Sequence, residues 1–361
     1  MQRRIKVLIV DDSAVVRRIL SEAVSKEPDL EVVGLAPDPF VARNQILKLK
    51  PDVVTLDIEM PGMDGLSFLK KLMHYHPLPV IIISSLGQAS SEVALEALRS
   101  GAVEVLAKPS GEYSVGDIGL ALGDKIRAAF SANLKKVRDV SSAASPALQN
   151  SPFPRTCLVA IGASTGGTQA IETMLLQIPE QCPPILIVQH IPPVFSAGFA
   201  TRLNALCKFE VKEAKDGDLV TPGRALIAPG DFHMTIRNTD GVCRVAVRNG
   251  PRVHYHRPSV DVLFHSIAQS GRTNVVGVIL TGMGSDGAEG LLHMRQKGAT
   301  TIAQDEASCV VFGMPKAAID RGATQQVLSL SRIPAAIFRA LDTRTKEATP
   351  PAADPIALPV R

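Results

Sequence analysis

Three residues in the second half of the chain carry side chains able to act together on a carbonyl. The stretch LVAIGASTGG, residues 158–167, is an apolar run that ends in Ser164 among glycines. Its G-x-S-x-G pattern permits a sharp strand-to-helix turn that presents a serine hydroxyl at a sheet edge. His190 closes the next apolar run, PILIVQHIP, where it is a potential general base, and Asp286 lies in the glycine-rich loop after VVGVILTG. A carboxylate there would orient and charge-stabilise the imidazole. Such a triad is defined by geometry, so the chain order Ser164, His190, Asp286 is no objection. Other readings stand beside it. A glycine-rich turn opening a helix also cradles a phosphate, a histidine at a strand end is often structural, and Asp286 could cap the helix GAEGLLHMRQKG. Against a nucleotide, the spacing is neither G-x-G-x-x-G nor G-K-[ST], and a histidine stands where an acidic residue would hold the ribose.

A second set of chemical groups lies in the first half. Asp11 and Asp12 end the run IKVLIV, Asp57 ends DVVTLD, Ser84 ends VIIIS, and Lys108 with Pro109 ends EVLAKP. In an open parallel sheet, ligands collect beyond the carboxyl ends of the strands. Three carboxylates converging there repel one another unless a cation is bound, and oxygen ligands with room for water suit Mg²⁺. A lysine and a hydroxyl beside a metal-bound carboxylate make a phosphoryl site in which the carboxylate attacks phosphorus.

The elements that must hold these groups follow from the apolar pattern. Both halves alternate short, branched, nearly continuous apolar runs with amphipathic stretches, which implies helices covering both faces of a parallel sheet. The first segment spans 1–130. A Ser/Ala/Pro-rich linker follows over 131–155, a second segment over 156–345, and a tail, 346–361, expected to be disordered. In the second segment CLVAIGAS, PILIVQHI, ALIAPG, VVGVILTG and TTIAQD are the expected strands, and the stretch around NTDG reads as an antiparallel hairpin. The HYH triplet at His254–His256 is expected to be an exposed strand rather than a metal pair, since no third ligand is evident.

With 361 residues, 45% hydrophobic and 20% charged, the composition is that of a two-domain globular protein. A formal charge of +4 gives no nucleic-acid footprint. No apolar run approaches the ~18 residues of a membrane span, and the basic start MQRRIKVLIV reads as a first strand rather than a signal peptide. Five scattered cysteines without a C-x-x-C pair read as small buried side chains in a reducing cytosol.

The first segment resembles the receiver domain of two-component response regulators, a flavodoxin-like fold. That resemblance implies phosphorylation of Asp57, Mg²⁺ held by Asp11, Asp12, Asp57 and the main-chain carbonyl of Glu59, Ser84 as the switch hydroxyl and Lys108 as the phosphate partner. Val105 departs from the family, where many receivers carry an aromatic residue. The strings GASTGG, QHIP, APG, RPSVDVLF, LTGMGSDGAEG and EASCVVFGMP resemble the catalytic domain of the chemotaxis-type protein-glutamate methylesterases, the CheB family. The order receiver, linker, catalytic domain matches that family over 1–345.

The resemblance implies a doubly wound α/β hydrolase domain with Ser164, His190 and Asp286 as its triad, and backbone N–H groups at Thr165, Met283 and Gly284 as oxyanion donors. The implied activities are hydrolysis of glutamyl methyl esters and deamidation of glutamines on the cytoplasmic helices of chemoreceptors, with no cofactor for the esterase chemistry. Arg257 and Ser259 are expected to line an open cleft. A histidine kinase would be the phosphodonor, the protein would be cytoplasmic, and neither nucleic acid nor membrane insertion is expected. The unphosphorylated receiver is expected to cover the cleft. The rival functions are a receiver coupled to a nucleotide-binding effector, a non-enzymatic phosphate-competing adaptor, and the same esterase in another chemosensory array.

Overall fold

A computed structural model describes residues 3–85, 87–108, 115–134, 153, 156–239, 241–272 and 274–342. Pro109, nearly all of the expected linker and the whole expected tail lie outside the described residues.

The first half runs β1 (Ile5–Val10), α1 (Ala14–Ser25), β2 (Leu30–Ala36), α2 (Pro39–Leu49), β3 (Val53–Asp57), α3 (Gly65–Tyr75), β4 (Val80–Ser84), α4 (Gln88–Arg99), β5 (Glu104–Ala107) and α5 (Val115–Ser131). Its five strands are parallel in the order β2-β1-β3-β4-β5. The runs IKVLIV, DVVTLD, VIIIS and EVLAKP of the sequence are β1, β3, β4 and β5. Every residue of β3 and β4 is buried, as helices on both faces require. Helices α1, α2 and α3 start on side-chain caps: Ser13 accepts from the Val16 amide, Asp38 from Phe40 and Val41 ahead of Pro39, and Asp64 from Ser67. Each cap satisfies amides that the first helical turn leaves unpaired.

The second half runs β6 (Leu158–Ala163), α6 (Gly167–Leu175), β7 (Ile185–Gln189), α7 (Phe195–Leu206), β8 (Glu210–Glu213), β9 (Arg224–Ile227), β10 (His233–Thr239), β11 (Val242–Arg248), α8 (Val260–Gln269), β12 (Val275–Ile279), α9 (Ala288–Gln296), β13 (Thr300–Gln304), α10 (Met314–Asp320), β14 (Gln326–Leu328) and α11 (Ile333–Leu341). Seven parallel strands lie in the order β14-β13-β12-β6-β7-β9-β8, and β10 and β11 form the expected antiparallel hairpin. Two strands, β8 and β14, have no counterpart in the sequence reading. Both are edge strands, short and mostly half-exposed, so neither shows the continuous apolar run that marks a central strand. Phe195, Phe199 and Phe264 are among the largest fully buried side chains, each stabilising the core by about 1.5–3 kcal/mol.

The two halves touch through both polar and apolar contacts. Val310 and Val311 of the second half pack into the cluster of Ile9, Leu122 and Ile126 of the first, and the Asn133 amide donates to the Val310 carbonyl at 3.0 Å. Gln169 Nε2 donates to the carbonyl of Leu98 at the end of α4. Gly198 on α7 lies so near Ser91 on α4 that an added Cβ would stand 3.0 Å from its hydroxyl.

Candidate active site

The strand order determines which loops meet. In the seven-stranded sheet β6 lies between β12 and β7. Ser164 follows β6, His190 follows β7 in register with it, and Asp286 lies in the loop after β12. Three residues separated by as many as 122 positions therefore share one rim. Ser164, His190 and Asp286 are all buried.

The Ser164 turn is held from several sides. Its amide donates to Thr281 at 3.0 Å, and its carbonyl accepts from Gly167 at 2.7 Å. Gln189 Nε2 also donates to the Ser164 carbonyl at 2.9 Å, and to that of His190 at 3.3 Å. Gly166 turns the chain at φ +76°, which a side chain rarely adopts. Gly282 is required by close approach, because a Cβ there would fall 2.8 Å from the Ser164 Cβ.

His190 Nε2 lies 2.8 Å from Asp286 Oδ2. Its Nδ1 is buried and has no hydrogen-bond partner among the described residues. Asp286 accepts three further bonds, from the Val260 amide at 2.7 Å, the Ser259 hydroxyl at 2.8 Å and the Asp261 amide at 3.0 Å. These donors sit at the N-terminus of α8, where the unpaired amides favour an anion. Burial works against the charge on Asp286. The His190 contact and the amides of Asp261 and Val260 outweigh it and hold the carboxyl well below the usual range.

Three readings change here. Asp286 does not cap the helix that follows it; it caps α8, and Asp261 of α8 in return accepts from the Gly290 amide of α9 at 2.7 Å. Ser259 is fully buried and supports Asp286 instead of lining a cleft. The HYH triplet is a tight turn, not an exposed strand: His254 and Tyr255 have φ of 49° and 64°, because the chain reverses where Val253 and His256 bond each other. His254 Nε2 reaches Asp261 Oδ2 at 3.1 Å, and Asp286 completes a group whose possible ligand atoms lie within 4.8 Å. The oxygens of Asp286, however, are already occupied by four donors.

Several contacts around the site carried no sequence signal. Thr165 donates its hydroxyl to Glu104 of β5 at 2.7 Å, and Glu104 also pairs with Lys125 of α5 at 2.7 Å. Thr281 bonds the Thr165 carbonyl at 3.0 Å. The rings of His256 and His190 are stacked. A cavity of about 210 Å³ opens beside this group, lined by His190, Tyr255, His256 and Arg257 from one half and Val105 and Lys125 from the other. Arg257 thus borders the opening, tied to Asp231 at 2.8 Å.

In the first half, the possible ligand atoms of Asp11, Asp12 and Asp57 lie within 4.8 Å of one another. Lys108 Nζ stands 2.7 Å from Asp57 Oδ2 and 3.5 Å from Asp11 Oδ2. Burial pushes the Asp57 carboxyl up to about 6, against the pull of Lys108 and the Glu59 amide. Burial likewise raises Asp11, whose Oδ2 is buried without a hydrogen-bond partner. Among the described residues the Ser84 hydroxyl bonds only the Ser85 carbonyl, at 3.4 Å. The Glu59 side chain accepts from Ser85 at 3.0 Å and from Ser90 of α4.

A family model described as CheB methylesterase matches residues 159–337, and one described as the response regulator receiver domain matches residues 7–115. A protein-glutamate methylesterase/protein-glutamine glutaminase of Syntrophus aciditrophicus is 53% identical over 339 residues, covering 93% of this chain and 99% of the relative. The protein of that name from Escherichia coli K12 is 50% identical over 336 residues, covering 91% and 95%. The crystal structure of the Thermotoga maritima CheB methylesterase catalytic domain is 38% identical with a TM-score of 0.50, covering 52% of this chain and 98% of that one.

Proposed function

This chain belongs to the CheB methylesterase family, and from that premise we propose that Ser164, His190 and Asp286 act as its nucleophile, general base and orienting carboxylate. The reaction is hydrolysis of protein glutamyl methyl esters and deamidation of protein glutamines, under the control of a phosphorylated receiver, in chemosensory adaptation. The observation that carries the assignment is the 2.8 Å contact of His190 Nε2 with Asp286, which leaves Nδ1 buried and unpaired.

The chemistry follows from that contact. An anionic Asp286 keeps a proton on Nε2, so the lone pair is on Nδ1. This uses the two ring nitrogens in the opposite sense to the chymotrypsin arrangement. Nδ1 takes the proton as Ser164 Oγ adds to the ester carbonyl. The oxyanion is received by the N–H groups of Thr165, Met283 and Gly284, which bond no other group among the described residues; each such donor contributes about 10²–10³-fold. Nδ1 returns the proton as methanol leaves, or ammonia from a glutamine. Water then gives a proton to the same nitrogen and adds to the acyl carbonyl; as the adduct collapses, Nδ1 passes that proton to the departing Ser164 Oγ, and glutamate is released. Methanol release by the wild type and its loss in Ser164→Ala test this assignment.

In the receiver, Asp57 is the proposed phosphorylation site, with Lys108 as phosphate partner and Ser84 as switch hydroxyl. Asp11, Asp12, Asp57 and the Glu59 carbonyl would hold Mg²⁺. The buried Asp11 oxygen, which has only the 3.5 Å ion pair with Lys108 among the described residues, and the three clustered carboxylates fit a cation. When bound, the cation neutralises their charge and that of the incoming phosphoryl group. The substrate helices are proposed to be cytoplasmic parts of chemoreceptors and the phosphodonor a histidine kinase, which makes the protein cytoplasmic. Among the described residues no helix is long and apolar enough to cross a membrane.

Masking of the catalytic rim by the unphosphorylated receiver is supported by the bond from Thr165 to Glu104. That bond puts a receiver carboxylate beside a proposed oxyanion donor, where negative charge opposes the charge that the reaction must develop.

A further inference from the structure

His256 has no part in the chemistry above, and the inference drawn from it rests on that assignment of Ser164, His190 and Asp286. Its ring lies nearly parallel to that of His190, with centroids 3.7 Å and planes 15° apart. The backbone builds this contact. Val253 and His256 exchange both main-chain hydrogen bonds, at 3.0 and 2.8 Å. Between them His254 and Tyr255 occupy left-handed backbone, which glycine or asparagine would adopt at lower cost. The turn therefore bears strain while delivering one imidazole against another.

On the edge of the His190 ring Nε2 bonds Asp286, and Nδ1, which bonds nothing among the described residues, is the atom assigned above to take the serine proton. The face of the ring is what His256 covers. We propose that His256 is a positioning residue: stacked on His190, it keeps that ring in the plane joining Asp286 to Ser164 and lies against the positive charge the ring gains in the transition state. A flat neighbour at stacking distance blocks the rotation that would carry Nδ1 away from the hydroxyl. A neutral aromatic face also attracts a cation.

The charged groups around His256 are compatible with a neutral ring. Burial, His190, Lys125 of α5 and His254 all push its pKa down, and only Asp286 opposes them. No carboxylate bonds the His256 ring among the described residues, so nothing orients it as a second base.

The test uses the full-length protein with Mg²⁺ and a small phosphodonor. Two readouts are taken: steady-state methanol release, and the rate at which a fluorophosphonate labels Ser164, which requires no ester turnover. His256→Phe keeps a flat ring and His256→Ala removes it. His256→Ala is expected to lower kcat and the labelling rate by about 2- to 10-fold with KM nearly unchanged, while His256→Phe stays near wild type in both.

Wild-type rates in His256→Ala, or equal loss in His256→Phe and His256→Ala, would overturn the proposal. So would a fall in His256→Ala to the level of Ser164→Ala, since that marks a proton-transfer role. If His256→Phe recovers the thermal stability lost in His256→Ala but not the labelling rate, the role is structural and the proposal fails. Failure of the underlying assignment looks different: Ser164 would go unlabelled in the wild type, and the proposal would fall with it.

Discussion

Asp286 concentrates most of the electrostatics of the site in one carboxylate. Four donors converge on it, two of them amides at the start of α8. Asp286→Asn is expected to lower kcat on the order of 10⁴-fold with little change in fold, because the amide favours the wrong tautomer of His190; methanol release on the purified variant checks this. Ser259→Ala removes one donor, and the loss of about 1–3 kcal/mol of support for a buried charge should appear as a lower kcat and a less stable fold. The pH dependence has a definite sign. The Asp286 pKa is depressed in the folded state, so its stabilisation is present above its unfolded value of about 3.9 and lost as pH falls through the lower folded value. Urea titrations below pH 4 should therefore show the wild-type midpoint falling more steeply than that of Asp286→Asn. The triad residue types were legible because each lies at or just beyond the end of an apolar run. The role of Ser259 was not, because it depends on α8 pointing its first turn at a loop from elsewhere in the chain.

At the scale of elements, adjacency of strands brings the site together. The register of β6 with β7 and with β12 puts three strand ends side by side, and the glycines of the connecting loops let them close. Gly282→Ala should be severe, since the new methyl would meet the Ser164 Cβ at 2.8 Å and Met314 Sδ at 2.4 Å. Overpacking of this kind costs about 1–3 kcal/mol, and here it would also displace the nucleophile; thermal unfolding and kcat should both fall. Central strands were readable because burial on both faces demands unbroken apolar runs. The edge strands β8 and β14 lack that demand, and the turn at 253–256 was misread because its left-handed residues are a histidine and a tyrosine, which carry no turn signature. The hairpin around NTDG was readable because its turn residues carry that signature.

At the scale of the whole molecule, the receiver and the catalytic half share a polar contact at the catalytic rim. Glu104 joins Lys125 of its own domain to Thr165 beside the proposed nucleophile. Nothing in the run EVLAKP marks Glu104, since a contact between domains leaves no periodicity in either. If the receiver masks the site, Glu104→Ala should raise esterase activity in the absence of a phosphodonor and narrow the further gain when one is added. Asp57→Asn should leave the basal rate unchanged and abolish the response.

The most direct measurement is methanol release from methyl-labelled chemoreceptor by the wild type and by Ser164→Ala, each with and without a small phosphodonor and Mg²⁺. The expected result is release by the wild type that rises with phosphodonor, and none above background from Ser164→Ala under either condition. Methanol release by folded Ser164→Ala at the wild-type rate would contradict the assignment of the nucleophile and the mechanism built on it.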